Sequence, residues 1–379
     1  MNTIVIGCGF AGAVIARKLA EAGEHVRIIE RRAHIGGNAH DALDEHGILI
    51  HTYGPHIFHT NDEEVFRFLS RFTKWRPYAH KVAASVHGRL IPVPFNLRSL
   101  RLVFGEEAET LTKRLKAAYG EETSVSILEM MQNDDPQIRM VARYVYEHIF
   151  LHYTMKQWDQ KPEEIDPAVT ARVPIRISED DRYFQDRWQG MPKEGYTALF
   201  ERMLDHPSIE LSLNTDARDV LRFDQAQGMI YADGRPVEGR VICTGAVDEL
   251  ADHLYGPLPY RSLRFEHLHA QQEYIQPYAV VNYTVSEPFT RITEFKHLSG
   301  QKAPSTSYVR EYPMARTSLD QEPYYPIVTD EHERLYARYV QWADRFPQLY
   351  LLGRLAQYRY YNMDAIVKEA LRLADELTR

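Results

Sequence analysis

Three glycines near the start of the chain have the spacing of a phosphate-binding turn. The segment from Gly7 to Gly12 reads G-x-G-x-x-G, follows the apolar run Ile4–Ile6 and precedes a helical pattern over 13–22. Such a turn places backbone N–H groups and the positive end of a helix dipole around a pyrophosphate. A purely structural turn is the alternative, because any tight turn can use glycines. The ligand-binding residues predicted from this turn are Gly7, Gly9, Phe10, Ala11 and Gly12.

Further segments favour a flavin dinucleotide over a dissociable nicotinamide one. A second apolar run, Val26–Ile29, ends in Glu30, where a carboxylate can hold the ribose hydroxyls of an adenosine. A second glycine turn over 36–38 is of the kind that flavin enzymes use to approach the same dinucleotide. Two late strand-like runs also end in glycine, at Gly245 and Gly353. We therefore expect FAD as the cofactor.

His56 and His59, three residues apart, raise the question of a metal site. On a helical turn this spacing brings two imidazoles together, but no carboxylate or cysteine cluster accompanies them. We expect no metal ion. A position beside a flavin ring, tuning its electronics or hydrogen-bonding its N5, is favoured for these histidines, and a structural role is the alternative.

Composition is that of an ordinary globular protein. The chain has 379 residues, 44% hydrophobic and 26% charged, which is enough for two or three packed units. No run approaches the roughly 18 apolar residues that span a bilayer, so we expect no membrane partner and a cytoplasmic location. The formal net charge of −8 argues against a nucleic-acid partner. The two cysteines, Cys8 and Cys243, both lie in glycine motifs, which excludes a disulfide framework.

Periodicity predicts that the nucleotide-binding unit is interrupted by other elements. Val82–Val86 and Arg89–Val93 read as a hairpin around a His-Gly turn. A helix is predicted over Glu106–Tyr119. Another begins at Asp135 and Pro136, a capping residue followed by proline at the first helical position. These helices predict a small inserted bundle.

The second half of the chain returns to strands. The segments 172–189 and 260–311 are interpreted as one antiparallel sheet that forms a wall of a substrate cleft. A final helix is expected over 364–377, capped by Asn362 or Asp364. The fold class is α/β: a Rossmann-like FAD-binding domain with an inserted helical bundle and an antiparallel β-sheet domain. The predicted ranges are 1–76, 190–259 and 335–379 for the FAD-binding domain, 96–165 for the helical domain, and 77–95, 166–189 and 260–334 for the sheet domain.

Seven segments carry a resemblance to a known family. They are Tyr53–Thr60, Tyr153–Trp158, Arg172–Arg176, Tyr183–Phe184, Arg291–Ile292, Glu322–Pro326 and Gly353–Tyr361. In this order and spacing, the chain resembles the bacterial UDP-galactopyranose mutases over essentially its whole length. The resemblance implies an isomerase of galactofuranose biosynthesis with FAD as cofactor and a nucleotide sugar, UDP-galactose, as substrate. We also expect a homodimer.

The implied reaction has no net redox change and interconverts UDP-galactopyranose and UDP-galactofuranose. The flavin must be reduced, because its N5 attacks the anomeric carbon and expels UDP. Neither a Ser-His-Asp nor a Cys-His arrangement is needed, and none is evident in the sequence. The departing diphosphate gains charge as the C1–O bond breaks. Arginines suit this task, since a guanidinium binds phosphate oxygens in pairs and stays charged.

The resemblance assigns roles to individual residues. The catalytic residues it implies are Arg172, Arg291 and His59. The substrate-binding residues are Tyr153 and Trp158 beside the uridine, Arg172 and Arg291 on the diphosphate, and Tyr183, Tyr325 and Tyr360 as phenol donors to it. The cofactor-binding residues beyond the first turn are Glu30, Arg31, Gly37, Asn38, His56, Ile57, Gly353, Arg354, Asn362 and Met363. Surface ion pairs for the arginines and ordinary packing for the aromatic rings are the alternatives.

Some questions stay open at this level. Glu294 and Glu311 either pair with an arginine or face solvent. Asn362 stands where many family members have Asp, so a catalytic carboxylate is ruled out at that position. Cys8 inside the glycine turn is uncommon, although its small side chain fits. The alternative functions are the same chemistry on UDP-N-acetylgalactosamine or a TDP-deoxysugar, an amine-oxidase-like flavoprotein, and a dinucleotide-binding scaffold without activity.

Overall fold

The computed structural model describes residues 2–158, 174–285 and 287–379. Its strands, in chain order, are β1 (Asn2–Ile6), β2 (His25–Ile29), β3 (Asp41–Leu43), β4 (Leu49–His51), β5 (Phe58–Thr60), β6 (Trp75–Pro77), β7 (Val82–Val86), β8 (Arg89–Val93), β9 (Thr123–Val125), β10 (Ile175–Ile177), β11 (Trp188–Pro192), β12 (Ile209–Ser212), β13 (Leu221–Asp224), β14 (Met229–Ala232), β15 (Arg235–Pro236), β16 (Arg240–Cys243), β17 (Tyr260–Ala270), β18 (Val280–Tyr283), β19 (Arg291–Glu294), β20 (Thr306–Ala315), β21 (Tyr325–Pro326) and β22 (Leu349–Leu351). Its α-helices are α1 (Phe10–Glu21), α2 (Glu63–Ser70), α3 (Leu97–Phe104), α4 (Ala108–Tyr119), α5 (Ile127–Met131), α6 (Pro136–Val145), α7 (His152–Trp158), α8 (Tyr196–Leu204), α9 (Ala217–Val220), α10 (Val247–Leu250), α11 (Phe295–Ser299), α12 (Asp330–Ala343) and α13 (Met363–Leu377).

Strand β1 is the centre of a five-stranded parallel sheet of order β12-β2-β1-β16-β22. Its side chains alternate between two cores. Val5 packs with Val14 of α1 and Val367 of α13 on one face, and Ile4 packs with Trp342 of α12 on the other. Burial on both faces explains why three successive residues of β1, Ile4, Val5 and Ile6, are apolar, as in other parallel sheets. The predicted Rossmann-like α/β fold is confirmed, and the carboxyl ends of its strands meet at one edge.

Helices α3 to α7 lie between strands β8 and β10 and form the helical part of the molecule. The predicted start of α6 is confirmed. The Asp135 carboxylate accepts a hydrogen bond from the N–H of Gln137 at 2.8 Å, and Pro136 takes the first helical position. Ile138 and Val141 of this helix are buried against its neighbours. Capping and an apolar stripe together fix where the helix begins and which face it buries.

A second, larger sheet has seven strands in the order β21-β17-β20-β19-β18-β7-β8. The predicted β7–β8 hairpin is confirmed, and its turn residues His87 and Gly88 have φ values of 49° and 79°. Two positive φ angles suit a tight two-residue hairpin. The sheet is mixed, because β7 and β18 pair in parallel while the other neighbours are antiparallel.

The prediction that 166–189 joins this large sheet is wrong for the described part of that segment. Strand β10 pairs with β9 of the helical part, and β11, which begins at Trp188, pairs with β5 and β6 in a separate small sheet. The physical reason is burial: Ile175 and Ile177 of β10 pack into the core that the helices share. The other predicted domain ranges stay predictions.

The last helix, α13, begins at Met363, directly after Asn362. Asn362 occupies the N-cap position, but its side chain makes no capping hydrogen bond. Asp364 instead accepts a hydrogen bond from the Thr60 hydroxyl at 3.0 Å, which ties the helix to β5. Among the described residues, no helix combines the length and the apolar character needed to cross a membrane.

Candidate active site

A cavity of about 510 Å³ lies between the carboxyl edge of the parallel sheet and the large sheet. Ile6 and Cys243 line it from the parallel sheet, and Leu263 and Asn282 line it from the large sheet. We divide it into two parts by their lining residues. The cofactor half contains Gly7, Gly9, Glu30, Gly37 and Gly353, and the nucleotide half contains Tyr153, Tyr183, Arg291, Tyr325 and Tyr360.

In the cofactor half, several glycines lie so close to neighbouring atoms that a larger residue would not fit in their place. Gly7 follows β1 with φ at 95°, and a Cβ on Gly12 would lie 2.0 Å from the Gly7 carbonyl oxygen. A Cβ on Gly37 would lie 2.9 Å from the Cα of Gly9, so the two glycine turns contact each other. Gly7, Gly9 and Gly37 line the cavity, whereas Gly12 packs beneath the turn. Helix α1 starts directly after Gly9 and directs its N-terminus at this space.

Glu30 braces the first glycine turn from the end of β2. One carboxylate oxygen accepts the N–H of Cys8 at 2.8 Å, and the other accepts the N–H of Arg32 at 2.9 Å. The side chain is 6% exposed and lines the cavity. Each oxygen has a second lone pair, so the carboxylate can still accept hydrogen bonds from a ribose.

The other residues predicted to bind the cofactor also line the cavity. They are Phe10, Ala11, Arg31, Asn38, His56, Ile57, Arg354, Asn362 and Met363. Arg31 is engaged in ion pairs with Glu249 at 2.9 Å and with Glu322 at 2.7 Å. Arg354 lies over the Tyr325 ring, 5.1 Å from its centroid, at the border between the two halves.

The residues present in the cofactor half fit a dinucleotide. A glycine cradle leaves room for a pyrophosphate, a helix N-terminus favours its charge, and Glu30 follows at the distance along the chain expected for ribose recognition. The Cys8 thiol in the cradle is buried, and burial raises its pKa to about 12. It therefore stays protonated and adds no negative charge beside a phosphate.

Arg291 is the charged centre of the nucleotide half. Its Nε lies 2.7 Å from a carboxylate oxygen of Glu311, the residue directly opposite it on β20. Glu311 is 1% exposed. Burial alone would lower the pKa of Arg291, but the Glu311 carboxylate outweighs it and holds that pKa above its usual value. Glu311 thus pairs with an arginine rather than facing solvent.

Glu294, the other undecided carboxylate, has a different role. It is fully buried and accepts hydrogen bonds from the N–H groups of Ile275 and Gln276, at 3.0 and 3.2 Å, and from the Thr306 hydroxyl at 2.7 Å. It organises the chain before β18 and does not line the cavity. Glu311 therefore pairs with a residue of the cavity, whereas Glu294 stabilises the fold.

The four predicted tyrosines line the same cavity as Arg291. Tyr153 comes from α7, Tyr183 from the loop after β10, and the stacked rings of Tyr325 and Tyr360 lie 5.8 Å apart. Burial raises the pKa of Tyr153 and of Tyr183, so both phenols keep their protons and can donate hydrogen bonds. Tyr360 is 57% exposed, at the entrance of the cavity.

His59 lies at the junction of the two halves, on β5. Its Nδ1 is 3.0 Å from a carboxylate oxygen of Asp186, and its ring stacks on Phe184 at 3.6 Å. A carboxylate can only accept, so Nδ1 carries a proton and Nε2 remains for another partner. His59 is thus held by its neighbours and lines the cavity.

His56 is not paired with His59 on a helical turn, because the chain is extended there. Nδ1 of the His56 ring bonds the Gly54 carbonyl oxygen at 3.0 Å, and the backbone N–H of His56 donates to His51 Nδ1 at 3.0 Å. Burial lowers the pKa of His56 to about 3 and that of His51 to about 4, so both stay neutral. Among the residues that the structure describes, no cluster could hold a metal ion.

His80 also lines the cavity, although no pattern in the sequence indicates a role for it. It is 4% exposed, packs edge-on against Tyr183 at 5.8 Å, and lies 3.2 Å through Nδ1 from the Tyr78 hydroxyl. Burial, with Arg291 and His59 nearby, lowers its pKa to about 3. His80 precedes β7 without a motif, so only its proximity in space reveals it. Asn282 of β18 was overlooked for the same reason.

Two predicted site residues cannot be placed. Arg172 lies outside the described residues. Trp158 ends helix α7, but its side chain is outside the described part of the structure. The structure therefore brings Arg291, His59 and the tyrosines of the nucleotide half together around one cavity, and the positions of Arg172 and Trp158 within it remain predictions.

Comparison with known proteins places these segments in one family. A family model described as UDP-galactopyranose mutase matches residues 148–360, and a model of an NAD(P)-binding Rossmann-like domain matches residues 5–72. The first match includes much of the nucleotide half, and the second includes both glycine turns. The two matches together include most of the residues that line the cavity, with His80 and Asn362 among those outside both ranges.

Individual relatives agree with the family models. The chain is 36% identical to a probable UDP-galactopyranose mutase of Klebsiella pneumoniae, over 99% of this chain and 94% of the relative. It is 35% identical to a dTDP-fucopyranose mutase of Escherichia coli, over 98% and 97%. A crystal structure of reduced UDP-galactopyranose mutase shares the fold with a TM-score of 0.74 at 16% identity, covering 99% of this chain and 95% of that chain.

Proposed function

The chain belongs to the UDP-galactopyranose mutase family, and from this premise we propose that it interconverts UDP-galactopyranose and UDP-galactofuranose with reduced FAD. The protein is thus an isomerase. One observation carries the proposal: a glycine cradle for a dinucleotide and an arginine held by a buried glutamate line the same cavity. An amine oxidase would gain nothing from Arg291, because a guanidinium repels a cationic substrate.

FAD, when bound in its reduced form, supplies the nucleophile through N5 of its ring system. The chain's contribution is to bind and orient it. We propose that Gly7, Gly9 and Gly37 let the backbone approach the pyrophosphate and that Glu30 holds the adenosine ribose. The remaining cofactor contacts proposed are Phe10, Ala11, Arg31, Asn38, His56, Ile57, Gly353, Arg354, Asn362 and Met363, with Gly12 supporting the turn from below.

Arg291 holds the diphosphate of the substrate in this proposal. Glu311 engages Nε, which fixes the plane of the guanidinium and leaves its two terminal nitrogens for phosphate oxygens. As the C1–O bond breaks, negative charge grows on the diphosphate and the interaction with Arg291 strengthens. Arg172 would act from the opposite side, as the family resemblance implies.

Aromatic residues complete the nucleotide half. Tyr183, Tyr325 and Tyr360 would donate phenol hydrogen bonds to the phosphates, and Tyr153 with Trp158 would border the uridine. The support for this arrangement is that the four tyrosines line the same cavity as Arg291. Neutral donors add affinity without a further charge that would need a partner.

His59 would lie beside the flavin ring. Asp186 holds the proton on Nδ1, so Nε2 is left to bond the flavin or the sugar. The ring cannot turn freely, because Phe184 stacks on it. We therefore assign His59 an orienting and hydrogen-bonding role at the reacting atoms.

The same chemistry on a dTDP-deoxysugar is the second candidate. The Escherichia coli relative named for dTDP-fucopyranose is as similar as the relatives named for UDP-galactopyranose. We place UDP-galactose first because the matching family model carries that name. We also propose a cytoplasmic location and a homodimer; light scattering of the purified protein tests the homodimer.

A direct assay separates the two candidates. Purified protein is first checked for a flavin by its visible absorption spectrum. Anaerobic, dithionite-treated protein is then given UDP-galactofuranose and dTDP-fucofuranose separately, and the pyranose products are separated by chromatography. We expect the kcat/KM for the UDP sugar to be higher than the kcat/KM for the dTDP sugar. Higher kcat/KM for the dTDP sugar would select the second candidate, and turnover of neither would refute the proposal.

A further inference from the structure

Lys156, which is not among the residues lining the cavity, forms hydrogen bonds with three backbone carbonyl groups. The Lys156 ammonium, on α7, donates to the carbonyl oxygens of Glu287 at 3.0 Å, Phe289 at 3.5 Å and Tyr283. All three carbonyls belong to the end of β18 or to its connection with β19. An ammonium has three donors, so this arrangement uses each of them once. Lys156 is part of the sequence segment that carries the family resemblance, but it has no role in the reaction described above.

The elements that Lys156 joins each carry a residue of the nucleotide half. Tyr153 lies one helical turn before Lys156 on α7, and Arg291 follows Phe289 by two residues at the start of β19. A second hydrogen bond joins the same two parts of the chain: the Thr284 hydroxyl, just after β18, donates to the carbonyl oxygen of His148, just before α7, at 2.7 Å. The helix and the connection are therefore fastened at two points.

Electrostatics makes the lysine the stronger of the two ties. Three carbonyl oxygens that converge on one point repel each other unless a cation lies between them. Hydrogen bonds from a charged donor are also stronger than those from a hydroxyl. Loss of the ammonium therefore removes the stronger of the two ties that hold the connection before Arg291 against α7.

We propose that Lys156 is a positioning residue that fixes Tyr153 relative to Arg291, so that both contact the same bound nucleotide. The inference rests on the proposed function, because it takes the nucleotide half as the site of a uridine diphosphate. It adds a prediction of its own: Lys156 controls nucleotide affinity without contacting the nucleotide or the flavin.

The chain supplies a matched control. Lys296, on α11, also donates to three backbone carbonyl oxygens, those of Glu273 at 2.7 Å, Ala303 at 2.5 Å and Ser305 at 3.0 Å. It is 1% exposed and does not line the cavity. Replacing either lysine by methionine removes the same kind of interaction, but only Lys156 joins two elements of the nucleotide half.

The test measures UDP binding by calorimetry, FAD content by visible absorbance and melting temperature for the holoenzyme and its variants. We expect Lys156→Met to weaken UDP binding by about tenfold, the loss of about 1.4 kcal/mol, and to keep its FAD. Lys296→Met should lower the melting temperature at least as much and leave UDP affinity within about twofold. Equal UDP affinities for the two variants would overturn the proposal. If Lys156→Met does not retain FAD, Lys156→Arg takes its place and is expected to lose several-fold in UDP affinity.

Chemical rescue separates positioning from general destabilisation. Lys156→Cys can be alkylated with bromoethylamine to restore an amine of nearly the length of lysine. Cys8 and Cys243 are buried, and burial raises each thiol pKa to about 12, so they react poorly. We expect the restored amine to recover UDP affinity and alkylation with iodoacetamide not to do so. Equal recovery with both reagents would contradict the role of the ammonium. Wild type that neither binds UDP nor turns over the sugar would instead refute the proposed function.

Discussion

The two halves of the cavity are made in different ways. The cofactor half is backbone: two glycine turns are in contact at the edge of the parallel sheet, with no space for a Cβ on Gly7, Gly12 or Gly37. The nucleotide half is side chains: one arginine, its buried glutamate and tyrosines from separate parts of the chain. In the proposed function, the first half would bind its ligand by shape and through backbone N–H groups, and the second half would bind its ligand by charge. In the cofactor half, a substitution that creates a clash should therefore abolish activity. In the nucleotide half, a substitution that removes a charge should lower activity by an amount that depends on the interaction lost.

The largest effect is expected in the cofactor half, from Gly12→Ala. The new Cβ would lie 2.0 Å from the Gly7 carbonyl oxygen, and both are backbone-bound, so the turn has to open. We expect protein without FAD and without activity, measured by visible absorbance after purification. Gly23→Ala is the control, since a Cβ there meets nothing within 4 Å although its φ is +91°. It should lose some stability and keep its flavin. FAD bound normally by Gly12→Ala would refute the steric account.

A graded effect is expected in the nucleotide half, from Arg291→Ala. The variant loses charge-assisted hydrogen bonds to the diphosphate worth roughly 1.5–3 kcal/mol each, so turnover should fall by about two orders of magnitude. FAD content should be unchanged, because Arg291 lies in the other half. Arg372→Ala, at an exposed ion pair on α13, is the control and should behave as wild type. Near-normal turnover would remove Arg291 from the diphosphate site.

The buried partner of Arg291 sharpens this comparison. Arg291→Ala leaves the Glu311 carboxylate buried without its cation, a loss of stability on the order of 2–3 kcal/mol, since the Arg291 side chain is 28% exposed. We expect the double variant Arg291→Ala with Glu311→Gln to be more stable than Arg291→Ala alone, measured by urea unfolding. It should remain as inactive. Strict additivity of the two changes would show that the pair is not coupled.

The smallest effect for a single residue is a pH dependence of stability, and it is shared by both halves because it comes from buried histidines. His51, His56 and His80 have folded pKa values of about 4, about 3 and about 3, below the unfolded value of about 6.5. Below pH 6.5 the unfolded state binds more protons than the folded state does. The free energy of unfolding is therefore highest above pH 6.5 and falls as the pH approaches the pKa values of the folded state. The loss at pH 5 should be up to about 2 kcal/mol for each histidine.

Removing one of these histidines checks the assignment. His80→Asn should flatten the dependence between pH 6.5 and pH 5, measured by urea unfolding at several pH values. The cofactor half adds its own part of this slope through His56, whose pKa burial lowers to about 3, whereas Cys8 stays protonated throughout the range. An unchanged slope in His80→Asn would show that His80 is already protonated at pH 5.

The same contrast explains what could be predicted from the sequence. The glycine turns, the hairpin at His87 and the start of α6 at Pro136 depend on residues close together in the chain, and all three are confirmed. The pairing of Arg291 with Glu311 depends on the register between β19 and β20, which no local pattern encodes. Only the resemblance to a family pointed to Arg291.

Long-range packing also explains the errors and omissions. Strand β10 was assigned to the large sheet because its composition is that of a strand, yet its partner, β9, lies 50 residues earlier in the helical part. His80 gave no signal, because a single histidine before a strand is ordinary in any sequence. Side chains acquire a role in the nucleotide half only when the fold brings them together.

The central claim is that the two halves act together, with a reduced flavin in one and a nucleotide sugar in the other. The most direct test measures conversion of UDP-galactofuranose to UDP-galactopyranose by one preparation, first oxidised in air, then reduced with dithionite, then reoxidised. The account predicts turnover in the reduced state and almost none before or after it. Equal rates in all three states would contradict it.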